Sequence, residues 1–68
     1  MKNSLKVKRA ILNMTQQELA DRLGVSRQTV NAIEKQKFNP STLLALKMSE
    51  LFHCPVNELF ELEPSERP

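Results

Sequence analysis

The chain has 68 residues, 26% of them charged, a formal net charge of +2, one glycine, one cysteine, and neither tryptophan nor tyrosine. That length allows a single domain, spanning residues 1–68, and a small core, because a chain of ~60 residues buries only ~60% of its unfolded surface. A lone cysteine excludes an internal disulfide, one Cys beside one His cannot supply a four-ligand zinc site, and no apolar stretch approaches the ~20 residues of a membrane span.

Scarce glycine with abundant Leu, Lys, Glu and Gln points to helices, and five short ones are read along the chain. The first runs from Ser4 to Leu12, with Leu5 and Leu12 seven apart on one face, Val7 and Ile11 beside them, and Asn13 as a stop. The second begins at Thr15-Gln-Gln-Glu18, which has the spacing of a capping box, and ends at Gly24, which takes a left-handed position without steric cost. Ser26 caps the third. Residues 36–40 form a loop, because Pro40 bars Asn39 from helical geometry. Ser41 caps the fourth, whose inward stripe is Leu44, Ala45, Met48, Leu51 and Phe52. Pro55 opens the fifth, with Val56, Leu59 and Phe60. Residues 61–63 have no helical partner face and are stopped by Pro64. They are expected to be extended and paired with residues 2–4, and the tail 64–68 to be frayed.

Gln16 to Lys35 holds the informative spacing. Counting from Gln16, apolar residues fall at the fourth, eighth, tenth, fifteenth and eighteenth positions: Leu19, Leu23, Val25, Val30 and Ile33. Ala20 stands at the fifth and Gly24 at the ninth. Two helices joined by a three-residue turn cross steeply, so their backbones nearly touch at the fifth position and leave room for little more than a methyl. The turn needs positive φ, hence glycine. If Val30 and Ile33 point inward, Arg27, Gln28 and Asn31 point outward in the first turns of the third helix. Such side chains suit base edges in a DNA major groove: Arg forks to guanine, and Gln and Asn pair with adenine. Read without that context, the same residues make an ordinary solvated helix face.

Thr15-Gln-Gln-Glu-Leu-Ala20, Gly24-Val-Ser-Arg-Gln-Thr-Val30 and Ile33-Glu-Lys35 resemble the phage-repressor (Xre, lambda-repressor-like) helix-turn-helix family. Asn39-Pro-Ser, Leu44-Ala-Leu-Lys and Pro55-Val-Asn-Glu-Leu-Phe60 are similar to it as well. The likeness covers residues 4–63 and is closest to the family's very short stand-alone dimeric repressors. It implies an all-α domain with its helix-turn-helix at 16–35. It also implies base contacts from Arg27, Gln28, Asn31 and Asn39, and backbone contacts from Gln16, Ser26, Thr29, Lys35 and Lys37. Phe38 either packs on a sugar or thymine methyl, or tucks under the loop against the fourth helix. Arg9 and Glu34 match a partly buried ion pair of the family. Lys8 departs from the pattern, standing where an apolar residue usually faces the second helix, with Val7 or Ile11 available to compensate.

Charge follows the same division. Residues 1–40 carry eight basic and three acidic side chains, and residues 41–68 carry two basic and five acidic. The front half suits an anionic partner. Enzyme readings fail on inventory: the only Asp is Asp21, the only His is His53, and a single glycine builds no phosphate loop. The resemblance places Cys54 where the family buries a small apolar side chain, which implies an inert thiol. The resulting reading is a transcriptional regulator of double-stranded DNA, most simply a repressor, without cofactor, metal or small-molecule ligand. An operon-autoregulating antitoxin and a protein-binding adaptor are the alternatives. Val56, Leu59, Phe60 and Leu62 crowd into seven residues, more than a short helix turns inward. Leu59 and Phe60 are assigned to the core, and Val56 and Leu62 to a homodimer contact that sets two half-sites on a palindromic operator. With no apolar leader visible at the N-terminus, a cytoplasmic location is expected.

Overall fold

The computed structural model describes residues 1–68. In chain order the elements are β1 (Lys2–Asn3), α1 (Leu5–Ile11), α2 (Gln16–Leu23), α3 (Arg27–Glu34), α4 (Thr42–Phe52), α5 (Val56–Leu59) and β2 (Phe60–Glu61), followed by a 3₁₀ turn over Pro64–Glu66. Each of the three central helices begins where a hydroxyl takes over an orphaned backbone N–H. Thr15 Oγ1 accepts from the Glu18 N–H at 3.0 Å while the Thr15 N–H donates to Glu18 Oε1 at 3.0 Å, completing the expected capping box. Ser26 accepts from the Thr29 N–H at 3.1 Å, and Ser41 from the Leu44 N–H at 3.1 Å.

The helix ends share one device. Four residues, Asn13, Gly24, Gln36 and His53, take positive φ, at 53°, 74°, 62° and 52°. At each, the next residue's N–H returns five residues back: Met14 to Arg9, Val25 to Ala20, Lys37 to Ala32 and Cys54 to Ser49, at 2.9, 3.0, 2.9 and 3.2 Å. This is the Schellman closure, which satisfies carbonyls a helix end leaves free. Only one of the four positions is glycine, so three stops rest on residues that carry a Cβ.

Eleven apolar residues from α1 to β2 make one buried cluster. Ala20 is fully buried, as its place at the crossing of α2 and α3 requires, and Leu19, Leu23, Val30 and Ile33 are buried around it. Val25 is half-buried at the edge of this cluster. Met14, Leu44, Met48, Leu59 and Phe60 complete it with Leu5.

The chain ends meet in an antiparallel pair with Lys2 opposite Glu61 and Asn3 opposite Phe60. The pairing is one residue earlier than expected on the second strand, because α5 stops after a single turn and Phe60 is already extended. The Ser4 N–H donates to the Leu59 carbonyl at 2.9 Å, and Ser4 Oγ to the Glu58 carbonyl at 2.8 Å. The tail, expected to fray, is placed with a single 3₁₀ turn over Pro64–Glu66. Glu63 and Glu66 cap the 3₁₀ turn reciprocally, and the Met1 amine lies 3.0 Å from Glu66. Backbone hydrogen bonding from Glu63, then the Met1 amine, holds the exposed Glu66 carboxyl below its ordinary range.

Helix α1 corrects the sequence reading. Leu5 is fully buried, whereas Leu12 is 51% exposed, and Val7 and Ile11 are exposed as well. The helix ends at Ile11, and the left-handed Asn13 turns the chain so that Met14 supplies the core contact at that end. Neither Val7 nor Ile11 compensates for Lys8, whose ammonium instead lies 3.9 Å from Glu58 on α5. Cys54 is half-buried against the core.

Candidate nucleic-acid interface

The first turns of α3 present the polar face anticipated from periodicity, and the loop after α3 carries the basic group that the resemblance implied. Arg27 and Gln28 stand exposed on the first turn of α3, directly after the Ser26 cap, with Asn31 half-buried one turn further on. Ser26 Oγ and Thr29 Oγ1 lie 3.0 Å apart, so the two hydroxyls share a hydrogen bond at the rim. Lys35, Lys37, Phe38 and Asn39 follow as an exposed group, with Lys37 anchored through its backbone to Ala32. Phe38 is 51% exposed and does not tuck against α4.

Acid is removed from this face by a single arrangement beneath it. Arg9 Nε and Nη2 grip the two oxygens of Glu34 at 2.7 and 3.1 Å, while Arg9 Nη1 donates to the Met14 carbonyl at 2.9 Å. The pair is largely buried, its side chains 14% and 7% exposed. Burial opposes the charge on Glu34, but the Arg9 guanidinium and then the Gln16 amide outweigh it, so the carboxyl stays below its ordinary range. The hydrogen bond to Glu34 raises Arg9 in turn. The expected ion pair is therefore formed. Such a pair orients helices more than it adds net stability.

Two features were not legible from sequence. Gln16 Nε2 donates to both Asn31 Oδ1 at 3.2 Å and Glu34 Oε1 at 3.0 Å, linking the start of α2 to the middle and end of α3. Asn3 Nδ2 donates to the Ile33 carbonyl at 2.8 Å, so the strand pair closes the C-terminal end of α3. Both join residues at least 15 positions apart, and no local spacing announces either. The nearest signal was the amide and carboxylate character of residues 16, 31 and 34 around a tight helical corner.

A helix-turn-helix model matches residues 5–59, most of the chain. The chain belongs to the helix-turn-helix family. It is of the Xre, lambda-repressor-like type, a DNA-binding family of transcriptional regulators, as the motif at 16–35 led us to expect. This helix-turn-helix protein is 50% identical over 66 residues to an uncharacterized HTH-type transcriptional regulator of Methanocaldococcus jannaschii, covering 97% of this chain and 100% of that one. It is 46% identical over 63 residues to an uncharacterized HTH-type transcriptional regulator of Bacillus subtilis, covering 93% and 96%. A third, from Archaeoglobus fulgidus, is 42% identical over 66 residues, covering 97% and 93%. No helix of this helix-turn-helix protein is long and apolar enough to cross a membrane.

Proposed function

We propose that the protein is a sequence-specific repressor that binds double-stranded DNA as a homodimer and reads a palindromic operator with α3 in the major groove. The observation that carries this reading is the acid-free surface formed by the first turns of α3 and the basic loop after it. Arg27, Gln28, Asn31 and Asn39 contact base edges. Ser26, Thr29, Lys35 and Lys37 contact the sugar–phosphate backbone. At Gln16 the backbone contact falls to the N–H groups of the first turn of α2, because the side-chain amide protons are engaged with Asn31 and Glu34. Lys35 and Lys37 bring positive charge where phosphates run beside the groove. A domain this small acts by occupancy: seated on an operator that overlaps a promoter, it excludes the polymerase.

Dimerisation uses α5 and its flanks. Leu62 is 43% exposed, and half-buried Val56 lines an apolar groove with Pro40, Ala45, Leu46 and Phe60. Apart from Pro40 the named residues of this surface belong to the acidic part of the chain, so pairing there keeps both copies of α3 free for DNA. A two-fold axis brings the patch against itself and sets the half-sites about one helical turn apart, ~34–36 Å.

Selection of bound DNA from a random pool tests the assignment. The wild type is expected to enrich a palindrome, and Arg27→Ala to lose preference at one base pair per half-site, at ~1–3 kcal/mol. An unchanged consensus in Arg27→Ala would remove α3 as the reading element.

A further inference from the structure

We infer that Glu34, acting through Gln16, sets the hydrogen-bond polarity of Asn31, so that Asn31 reads guanine rather than adenine. The inference rests on the assignment of α3 to the major groove. An ionised carboxylate accepts hydrogen bonds and donates none, so whichever end of the Gln16 amide faces Glu34 must be the NH₂. That NH₂ has two protons. One goes to Glu34 Oε1 at 3.0 Å, and the second reaches Asn31 at 3.2 Å, where only an oxygen can receive it. Asn31 is thereby held with Oδ1 toward the protein. Its Nδ2 has no partner within the chain, and no buried side-chain nitrogen or oxygen lacks one, so this NH₂ is open to solvent.

The consequence is chemical. An asparagine free to choose its orientation pairs with adenine through one donor and one acceptor, giving to N7 and receiving from N6–H. Here Gln16 occupies one lone pair of Oδ1 and fixes which end of the amide it faces, so the end left without a protein partner is the NH₂, with two N–H donors. Guanine presents two neighbouring acceptors, N7 and O6, which match that pattern. Adenine presents one acceptor beside a donor, and cytosine presents a donor only. Gln16 and Glu34 are thus positioning residues for specificity: neither needs to touch the base that Asn31 reads. The Arg9 grip on Glu34 keeps the carboxylate ionised and in register, which makes the polarity permanent at neutral pH.

The test is selection of bound DNA by the wild type, Asn31→Ala and Gln16→Met, with Arg27→Ala in parallel. Methionine keeps the length of Gln16 but cannot donate. The position that loses preference in Asn31→Ala is expected to favour guanine over adenine at least about fivefold in the wild type. In Gln16→Met that ratio is expected to fall to within about twofold, while the position read by Arg27 keeps its base. Loss of a phosphate contact or of stability weakens binding to all sequences alike and leaves the ratio untouched. An unchanged ratio in Gln16→Met, or adenine preferred by the wild type, would overturn the inference while α3 remains the reading helix. No change of preference in Arg27→Ala and Asn31→Ala together would overturn the groove assignment itself. Side-chain amide NMR of the free protein gives a readout independent of DNA. An ordered Asn31 amide that becomes mobile in Gln16→Met is expected, and an Asn31 amide already mobile in the wild type overturns the relay.

Discussion

Replacing Arg9 by methionine takes the partner from Glu34, whose side chain is largely buried. Glu34 is 7% exposed and receives two of its three side-chain hydrogen bonds from Arg9, at 2.7 and 3.1 Å, with Gln16 supplying the third. Removing one partner of a fully buried pair costs ~3–5 kcal/mol, because the surviving charge is left uncompensated. Residual solvent access and the Gln16 donor lower that figure to about 2–3 kcal/mol here. The loss is severe for a 68-residue domain, whose whole stability is roughly 3–10 kcal/mol. Urea denaturation at constant m-value measures it. The sign of the pH dependence is a sharper test. In the wild type the Glu34 carboxyl lies below its unfolded value, so its contribution is fully present above the ordinary carboxylate range and is lost as pH falls through the folded value. In Arg9→Met burial is opposed only by the Gln16 donor and the Lys6 charge, the carboxyl rises, and protonation relieves the uncompensated charge. The gap between variant and wild type therefore narrows on going from pH 7 to pH 4. Converting both residues, Arg9→Met with Glu34→Leu, costs less than Arg9→Met alone. A gap independent of pH, or a double variant that costs the sum of the singles, would refute this account.

Gln36→Gly is expected to stabilise the protein by about 0.5–1 kcal/mol, since relief of a left-handed φ of 62° exceeds the added freedom of the unfolded chain; thermal melting measures it. Gly24→Ala is expected to cost ~1 kcal/mol from φ alone, because an added Cβ meets nothing within 4 Å, and Gly24→Asn is expected to cost less. Thr15→Ala removes half of the capping box and is expected to lower stability by ~1 kcal/mol in the same assay. Lys37→Ala is expected to weaken all DNA sequences alike and to reduce the slope of log K against log salt by about one, measured by a salt titration of binding. Val56→Glu is expected to give monomers in sedimentation equilibrium at concentrations where the wild type is dimeric, by placing a charge in the proposed two-fold contact.

Much of this protein was readable along the chain because the relevant physics is local. Thr15, Ser26 and Ser41 mark helix starts because a hydroxyl reaches an N–H only three residues away. Gly24 marks a stop because its φ is positive, and Ala20 marks a crossing because nothing larger fits there. The outward placement of Arg27 and Gln28 followed from helical period once Val30 and Ile33 were buried. Tertiary structure decided the rest. Leu12 has the spacing of a core residue, yet the chain turns at Asn13 and Met14 takes the place, a choice made by packing rather than by period. Asn13 is a stop the sequence suggested, but Gln36 adopts left-handed φ without the tolerance of glycine or asparagine, because the chain must turn there to meet the shared core. Gln16, Asn31 and Glu34 carry no local sign that one amide joins them. Their hydrogen bonds exist only because α2 and α3 pack against each other, and such a contact is determined by the fold and not by any segment of the sequence alone.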